Sequence, residues 1–492
     1  MAHVDDFHRE RLCDPALILF ALMLATLIFG CAPGPDFKRP EPPSVDAYTA
    51  TPSPETTASA PVALGNAQQI GIGNDLPQQW WKQLCSPKLD ALIKEALAAS
   101  PSMAAARATL RQAQELYAAH AGSTQYPQVD AHLGAQRQRT NPISMGQTGD
   151  AQEFSLYNTN VGVRYQLDLA GGNRRALEAL AARADYQRYQ LDAARLMLAG
   201  NIAIAAITRA RLAAQIEATE AIVQAQQQQV HVARDRLRIG QAAPDEEIFL
   251  KSQLETTRAQ LFVWTQSMQQ TEHLLALLSV RAPASGGIPP FTLSDFRLPP
   301  ELPMMVPSEL VRQRPDILAA EALMQAANAE YGVAEANLYP QIDLSANLGT
   351  QALTIGALFG SGSSVWSLVG QLTQPLFNKG LPAEKRAALA AFDAAAANYQ
   401  SVVLEALRNV ADVLRAVEND ASRLVMLAAA DEAARHSLRI IEARYRLGNA
   451  DYEQILIAQQ QVQRTRLELV AAQAQRLADS VALWQAMGRG DG

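Results

Sequence analysis

The chain is poor in the residues that staple a fold, hold a metal or grip a polyanion. Its 492 residues include three cysteines, Cys13, Cys31 and Cys85. These match no paired framework and no metal-ligand spacing, which excludes a disulfide scaffold and structural zinc. Aromatic residues make up 6% and charged residues 18%, and the formal net charge is −7. A nucleic-acid surface needs clustered Lys and Arg, so no nucleic acid is expected as a partner. No glycine loop ends in Lys-Ser/Thr, which excludes ATP hydrolysis by a P-loop. The seven histidines, among them His120, His231, His273 and His436, are scattered singly. No cofactor, metal or enzymatic activity is expected. Alanine and glutamine are abundant, and with 48% hydrophobic content they favour long, lightly charged helices.

The amino terminus carries an apolar run, Pro15 to Phe29, preceded by Arg9 and Arg11. About 15 residues are too few to span a bilayer comfortably and suit a signal h-region. The run ends in Ile28-Phe29-Gly30-Cys31, which resembles a bacterial lipoprotein signal. That resemblance makes residues 1–30 a signal peptide and Cys31 the lipidation site, with Ala32 resembling the choice for outer-membrane sorting. The Pro-, Ser-, Thr- and Ala-rich stretch that follows lacks periodicity, so residues 31–79 are read as an acylated, extended tether.

Beyond it the chain is duplicated. Tyr126-Pro127-Gln128-Val129-Asp130 recurs as Tyr339-Pro340-Gln341-Ile342-Asp343, and Arg236-Leu237-Arg238-Ile239-Gly240 recurs as Arg444-Tyr445-Arg446-Leu447-Gly448. Gly172 and Gly380 stand at the same distance before the second block. The copies are read as residues 80–281 and 308–488, joined by a Pro- and Gly-dense linker, 282–307, and followed by a short tail, 489–492. Trp80-Trp81 is expected to anchor the start of the first copy.

Within each copy the hydrophobic period changes. Val129, Ala131, Leu133 and Ala135 alternate with polar residues, as do Tyr157, Thr159, Val161, Val163, Tyr165, Leu167 and Leu169. Period two with one apolar face marks strands. Ile342 to Gly349 and, more loosely, Val365 to Leu376 repeat the plan, giving each copy one hairpin. Gly172 to Gly240 and Gly380 to Gly448 then read as rods of roughly 100 Å if fully helical. Leu407, Val410, Leu414, Val417, Ala421, Leu424 and Ala428 follow a 3,4 spacing, as do Leu212, Ile216, Thr219, Val223, Gln226, Val230, Ala233 and Leu237. This is a coiled-coil seam. Return helices to about Val280 and Gly488 complete two helical hairpins, with tips at Gly240 to Glu247 and Gly448 to Glu453.

Four strands with one apolar face cannot close in hydrocarbon, where a free edge cannot be left unpaired. Transmembrane barrels begin at about eight strands, so identical copies have to pool theirs. The fold class expected is mainly α with a transmembrane β portion.

Certain segments resemble the TolC-like outer-membrane efflux proteins, in particular the NodT-like lipoprotein branch. They are Cys31 to Pro40 (CAPGPDFKRP), Val306 to Ile317 (VPSELVRQRPDI) with Ala320-Glu321, Ala336 to Pro340 (ANLYP) and, more weakly, Gln374 to Gly380 (QPLFNKG). The resemblance covers essentially the whole mature chain. It implies a homotrimer forming a twelve-stranded barrel in the outer membrane of a Gram-negative bacterium, lipid-anchored and extending into the periplasm as a helical tunnel. The implied function is a passive exit duct for small toxic molecules. The implied partners are a periplasmic adaptor (membrane fusion) protein, an inner-membrane pump of the proton-driven RND type, and outer-membrane lipid. It also implies that Arg236, Gly240, Arg444 and Gly448 mark the adaptor-docking tips. Asp245, Glu246, Glu247, Asp451 and Glu453 are candidates for an acidic ring at the entrance. The alternatives are the outlet of a protein secretion system and a periplasmic coiled-coil adaptor.

Overall fold

The computed structural model describes residues 34–73, 77–141, 146, 148, 150–241 and 243–488. Cys31, the apolar run before it and the tail from 489 lie outside the described residues. The chain divides into two compact units, one containing 34–39, 111–185 and 321–397, the other 40–110, 186–320 and 398–488. Each unit draws on both copies of the repeat.

The first unit is built on a four-stranded antiparallel sheet of β2 (Gln128–Thr140), β3 (Gln152–Leu167), β5 (Gln341–Ala352) and β6 (Ser364–Thr373), in the order β2-β3-β5-β6. Each copy supplies one hairpin, and the β3–β5 ladder, from Tyr157↔Ala352 to Leu167↔Ile342, joins the two copies. Side chains alternate with period two, and the register keeps parity across all three ladders. One face therefore gathers Val129, Leu133, Val161, Val163, Leu344, Leu348, Trp366 and Leu368, and the other gathers Asn158, Asn160, Asn347 and Gln371.

Two strand ends differ from the sequence expectation. β3 stops at Leu167 rather than Leu169, because the Asp168 carboxylate turns to accept the backbone N–H groups of Asn173 (3.0 Å) and Arg174 (2.8 Å). It thereby caps α3 (Gly172–Arg238), whose first N–H groups have no helical acceptor. β6 stops at Thr373 rather than Leu376, since Pro375 brings no N–H to a ladder.

The segment 34–39 is no loose tether in this unit. A Cβ on Gly34 would stand 2.9 Å from the Cα of Gly332 in α6 (Pro315–Ala336), so only glycine permits that approach. Arg175, 3% exposed, donates to Asp36 Oδ1 (2.8 Å), to the Gly34 carbonyl (3.2 Å) and to Glu178 Oε2 (2.7 Å). Asn328 Nδ2 donates to the Pro35 carbonyl at 3.0 Å, and Arg39 pairs with Glu321 at 2.6 Å.

The second unit is mostly helical. It holds α1 (Pro87–Ala99), the start of α2 (Pro101–Thr124), the greater part of α3, α4 (Pro244–Leu278), α5 (Pro307–Gln313), the greater part of α7 (Gly380–Arg446) and α8 (Tyr452–Met487). α3 and α7 are 67 residues each. On α7 the 3,4 positions Val410, Leu414, Val417, Ala421, Leu424 and Ala428 are buried, while Leu407 is half-buried. On α3 the seam is more polar than expected: Leu212, Thr219, Gln226, Val230 and Ala233 are buried, but so are Gln215 and Gln229, and Ile216, Val223 and Leu237 are half-buried. Gln229 hydrogen-bonds Gln459 of α8, so amides meet across the seam.

A large buried cluster takes in the end of α8, where Leu477, Val481, Leu483 and Met487 are fully buried. Trp80 and Trp484 stand with ring centroids 5.4 Å apart, and Trp80 and Trp81 meet edge to face at 5.9 Å. The tryptophan pair is thus set in the core, with the indole pairs adding to area burial.

Sequence reading missed a small parallel sheet here. β1 (Gln69–Ile72) from the expected tether pairs with β4 (Glu301–Met304) from the expected linker. The 57–68 stretch leading into it is held by Arg476 of α8, 2% exposed. Its guanidinium donates to the Leu64 (3.2 Å) and Asn66 (2.9 Å) carbonyls, Thr57 Oγ1 (3.1 Å) and Gln68 Oε1 (3.0 Å).

Candidate functional site

Two features have no role in a self-contained soluble fold. The first is the sheet. Its apolar face is open, with Leu133 83%, Trp366 78%, Leu368 75% and Leu348 67% exposed. A contiguous apolar surface of this kind marks an interaction site. The outer edges of β2 and β6 also have no strand beside them among the described residues. On β3 the apolar face runs from Tyr157 to Leu167. That is ~33 Å of strand, which tilted by ~40° spans ~25 Å, the height of the apolar band of an outer-membrane barrel. Immediately beyond it, on the same side-chain parity, Arg137 pairs with Glu153 at 3.2 Å and Arg139 stands 3.8 Å from the same carboxylate. The apolar band ends in charge.

The second feature is the pair of helix tips, which are built alike. Gly240 (φ 73°) and Gly448 (φ 76°) take the left-handed conformation that glycine adopts without strain. Gly240 N–H donates to the Leu237 carbonyl (3.0 Å) and Gln241 N–H to that of Arg236 (2.8 Å). Gly448 donates to Tyr445 (2.9 Å) and Asn449 to Arg444 (2.9 Å). Both are Schellman caps. In both, the arginine that supplies the outer carbonyl folds over the glycine, Arg236 to the Gln241 carbonyl and Arg444 to the Asn449 carbonyl, each at 3.1 Å. The arginines therefore brace the turns from within. A Cβ on either glycine would meet nothing within 4 Å. The preceding residues, Ile239 and Leu447, are 63% and 76% exposed, so each tip presents an aliphatic side chain beside bare backbone.

The acidic residues of the tips fall into two groups. Glu246 is paired with Arg236 at 3.0 Å and Glu247 with Arg234 at 2.9 Å, so their charge is neutralised at the start of α4. Asp245, Asp451 and Glu453 are exposed. Sequence reading missed Tyr452, whose ring lies 5.5 Å from the Arg236 guanidinium and 5.8 Å from the Tyr445 ring, linking the tip of α3 to the start of α8. Burial, with Glu246 and Tyr445 beside it, pushes its phenol up to about 12. The available signal was the divergence of the copies, since Tyr445 and Tyr452 stand where the first copy has Leu237 and Pro244.

Residues 92–279 and 306–489 match the family described as outer membrane efflux protein. The chain belongs to that family. The pyoverdine export outer membrane protein OpmQ of Pseudomonas putida is 30% identical to it over 449 residues, 89% of this chain and 94% of that protein. The antibiotic efflux pump outer membrane protein ArpC, also of Pseudomonas putida, is 28% identical over 481 residues, 96% of this chain and 95% of that one. Among solved structures, the outer-membrane channel OprN superposes with a TM-score of 0.83 at 25% identity, covering 94% of this chain and 99% of that chain. The outer membrane protein VceC of Vibrio cholerae does so at 0.78 and 27% identity, covering 85% and 100%. This outer membrane efflux protein is a TolC-like channel of the outer membrane, mainly helical with a transmembrane β portion, and it works in transport. The secretion outlet and the pore-less adaptor give way to the efflux channel.

Proposed function

We propose that three copies close their sheets edge to edge, β6 of one against β2 of the next, into a twelve-stranded barrel. The observation that supports this reading is the four-stranded sheet, with two free edges and one exposed apolar face of membrane height. Closure satisfies both edges and turns the apolar face to lipid. The barrel is the passive exit of a tripartite pump, whose energy comes from an inner-membrane transporter of the proton-driven RND type. The Gly240 and Gly448 tips dock a periplasmic adaptor, because backbone without a side chain next to an exposed Ile239 or Leu447 lets a partner helix approach closely. Asp245, Asp451 and Glu453 line the entrance as its acidic ring, and the ion-paired Glu246 and Glu247 contribute little net charge to it. Cys31, outside the described residues, carries the lipid that adds a second attachment to the outer membrane.

The test is functional. Purified protein in planar bilayers gives discrete conductance steps, and deleting it raises sensitivity to small toxic compounds while protein export is unchanged. Smooth leakage without steps, or a defect confined to protein export, would overturn the reading.

A further inference from the structure

The face of the sheet opposite the apolar one is almost without charge. Across the ladders it consists of Asn, Gln, Ser and Gly, with some apolar residues at its ends and in β6. Its formal charges are Asp130, Arg164 and Asp343, and its one imidazole is His132, opposite Asn160.

Asp130 and Asp343 hold the same place in the two copies, as the last residue of Tyr-Pro-Gln-Val-Asp and of Tyr-Pro-Gln-Ile-Asp. Their surroundings differ. Arg164, which stands opposite Gln128, reaches diagonally and donates to Asp130 Oδ2 at 3.3 Å. The matching diagonal position in the second copy is Thr373, opposite Gln341, and the residues directly across from Asp343 are Gln166 and Gln371. Arg164 is also diagonal to Asp343, since it stands opposite Ser345, but its hydrogen bond goes to Asp130, so one guanidinium faces two carboxylates and each subunit keeps one carboxylate in excess at the start of β5.

We propose that Asp343 sets the charge preference of the pore through the sheet, favouring cationic over anionic solutes. This rests on the three-copy barrel proposed above, with the polar face turned inward. Twelve strands close at a backbone radius of ~12 Å, which places three Asp343 carboxylates ~8 Å from the axis. That distance is close to the Debye length at about 0.1 M salt and well beyond the ~3 Å at 1 M. Three such charges, screened over that distance, enrich a monovalent cation on the axis about threefold at about 0.1 M and leave almost no preference at 1 M. The acidic tips add selectivity elsewhere along the path, so the sheet's share has to be read from variants of the sheet.

The measurement is the reversal potential of single channels under a KCl gradient at pH 8. The wild-type channel favours K+ at about 0.1 M, and the preference fades at 1 M. Asp343→Asn lowers the K+/Cl− permeability ratio about tenfold at low salt, because the same potential that enriches the cation about threefold depletes the anion about threefold. Arg164→Gln raises it by a similar factor, because it bares Asp130 and adds a second carboxylate per subunit. The double variant returns to the wild-type value. Opposite shifts from two substitutions cannot both come from damaged folding. Conductance steps with a ratio unmoved by Asp343→Asn would overturn the assignment to Asp343 while sparing the barrel. A protein that yields no steps would overturn the barrel itself.

Discussion

Gly448 separates a helix cap from a docking surface. Its φ of 76° is strained for most side chains, and a Cβ there would meet nothing within 4 Å. Substitution therefore costs backbone strain and no clash. Alanine in this conformation costs roughly 1–2 kcal/mol, and asparagine, whose short polar side chain tolerates the left-handed region, costs less. The strain falls at a helix end away from the α8 core, so trimers should survive both variants. If the glycine is only a cap, Gly448→Asn is close to wild type and Gly448→Ala is mildly impaired. If a partner helix packs on the bare backbone, both lose efflux to a similar extent, because either side chain fills the space the partner needs. We expect the second pattern, with adaptor affinity reduced at least tenfold, equivalent to about 1.4 kcal/mol. Toxin susceptibility of a complemented deletion strain reads the outcome, alongside a pull-down titration with the adaptor and native electrophoresis for trimers. Full activity of Gly448→Asn with impaired Gly448→Ala would refute docking at this residue.

The buried charges of the second unit give two more predictions. Asp479 is 5% exposed, and burial together with the Asp420 carboxyl facing it outweighs the hydrogen bond from Gln475 and pushes its carboxyl up to about 7. The fold thus favours the protonated form. That contribution is complete below about pH 4 and lost as pH rises through 7, an effect of at most ~4 kcal/mol. Asp479→Asn should gain stability over wild type at pH 8 and show no such advantage at pH 4, in parallel thermal melts; an equal difference at both pH values would show that the carboxyl is not held protonated. Arg476→Ala strips four acceptors of their donor and opens a void, so a loss of several kcal/mol is expected, with rapid proteolysis within 57–68; an unchanged melting temperature would contradict the packing seen around the guanidinium.

The strands and rods were legible because their patterns are long and strict. Tyr157 to Leu167 alternates without a break, and Val410 to Ala428 keeps a 3,4 spacing. The caps were legible because Arg-x-Arg-x-Gly is written twice. β1 and β4 were hidden: each is four residues long, too short for a period to show, and they pair between segments far apart in sequence. Arg476 was hidden for another reason. In a Gln- and Arg-rich helix nothing local separates a guanidinium buried under a strap from one in solvent, and the strap is supplied by residues from 57 onward. The amide-rich stretch of α3 was read as a narrow seam, yet it buries Gln215 and Gln229 beside the expected positions, because two neighbouring stripes pack at once. The ion pairs of Glu246 and Glu247 depend on how the chain turns at Gly240, which composition does not reveal.

One chain supplies four strands of a wall that only siblings complete. Native mass spectrometry of the protein extracted from outer membranes in mild detergent tests it most directly. A complex of three chains is expected; a monodisperse single chain would rule the shared wall out.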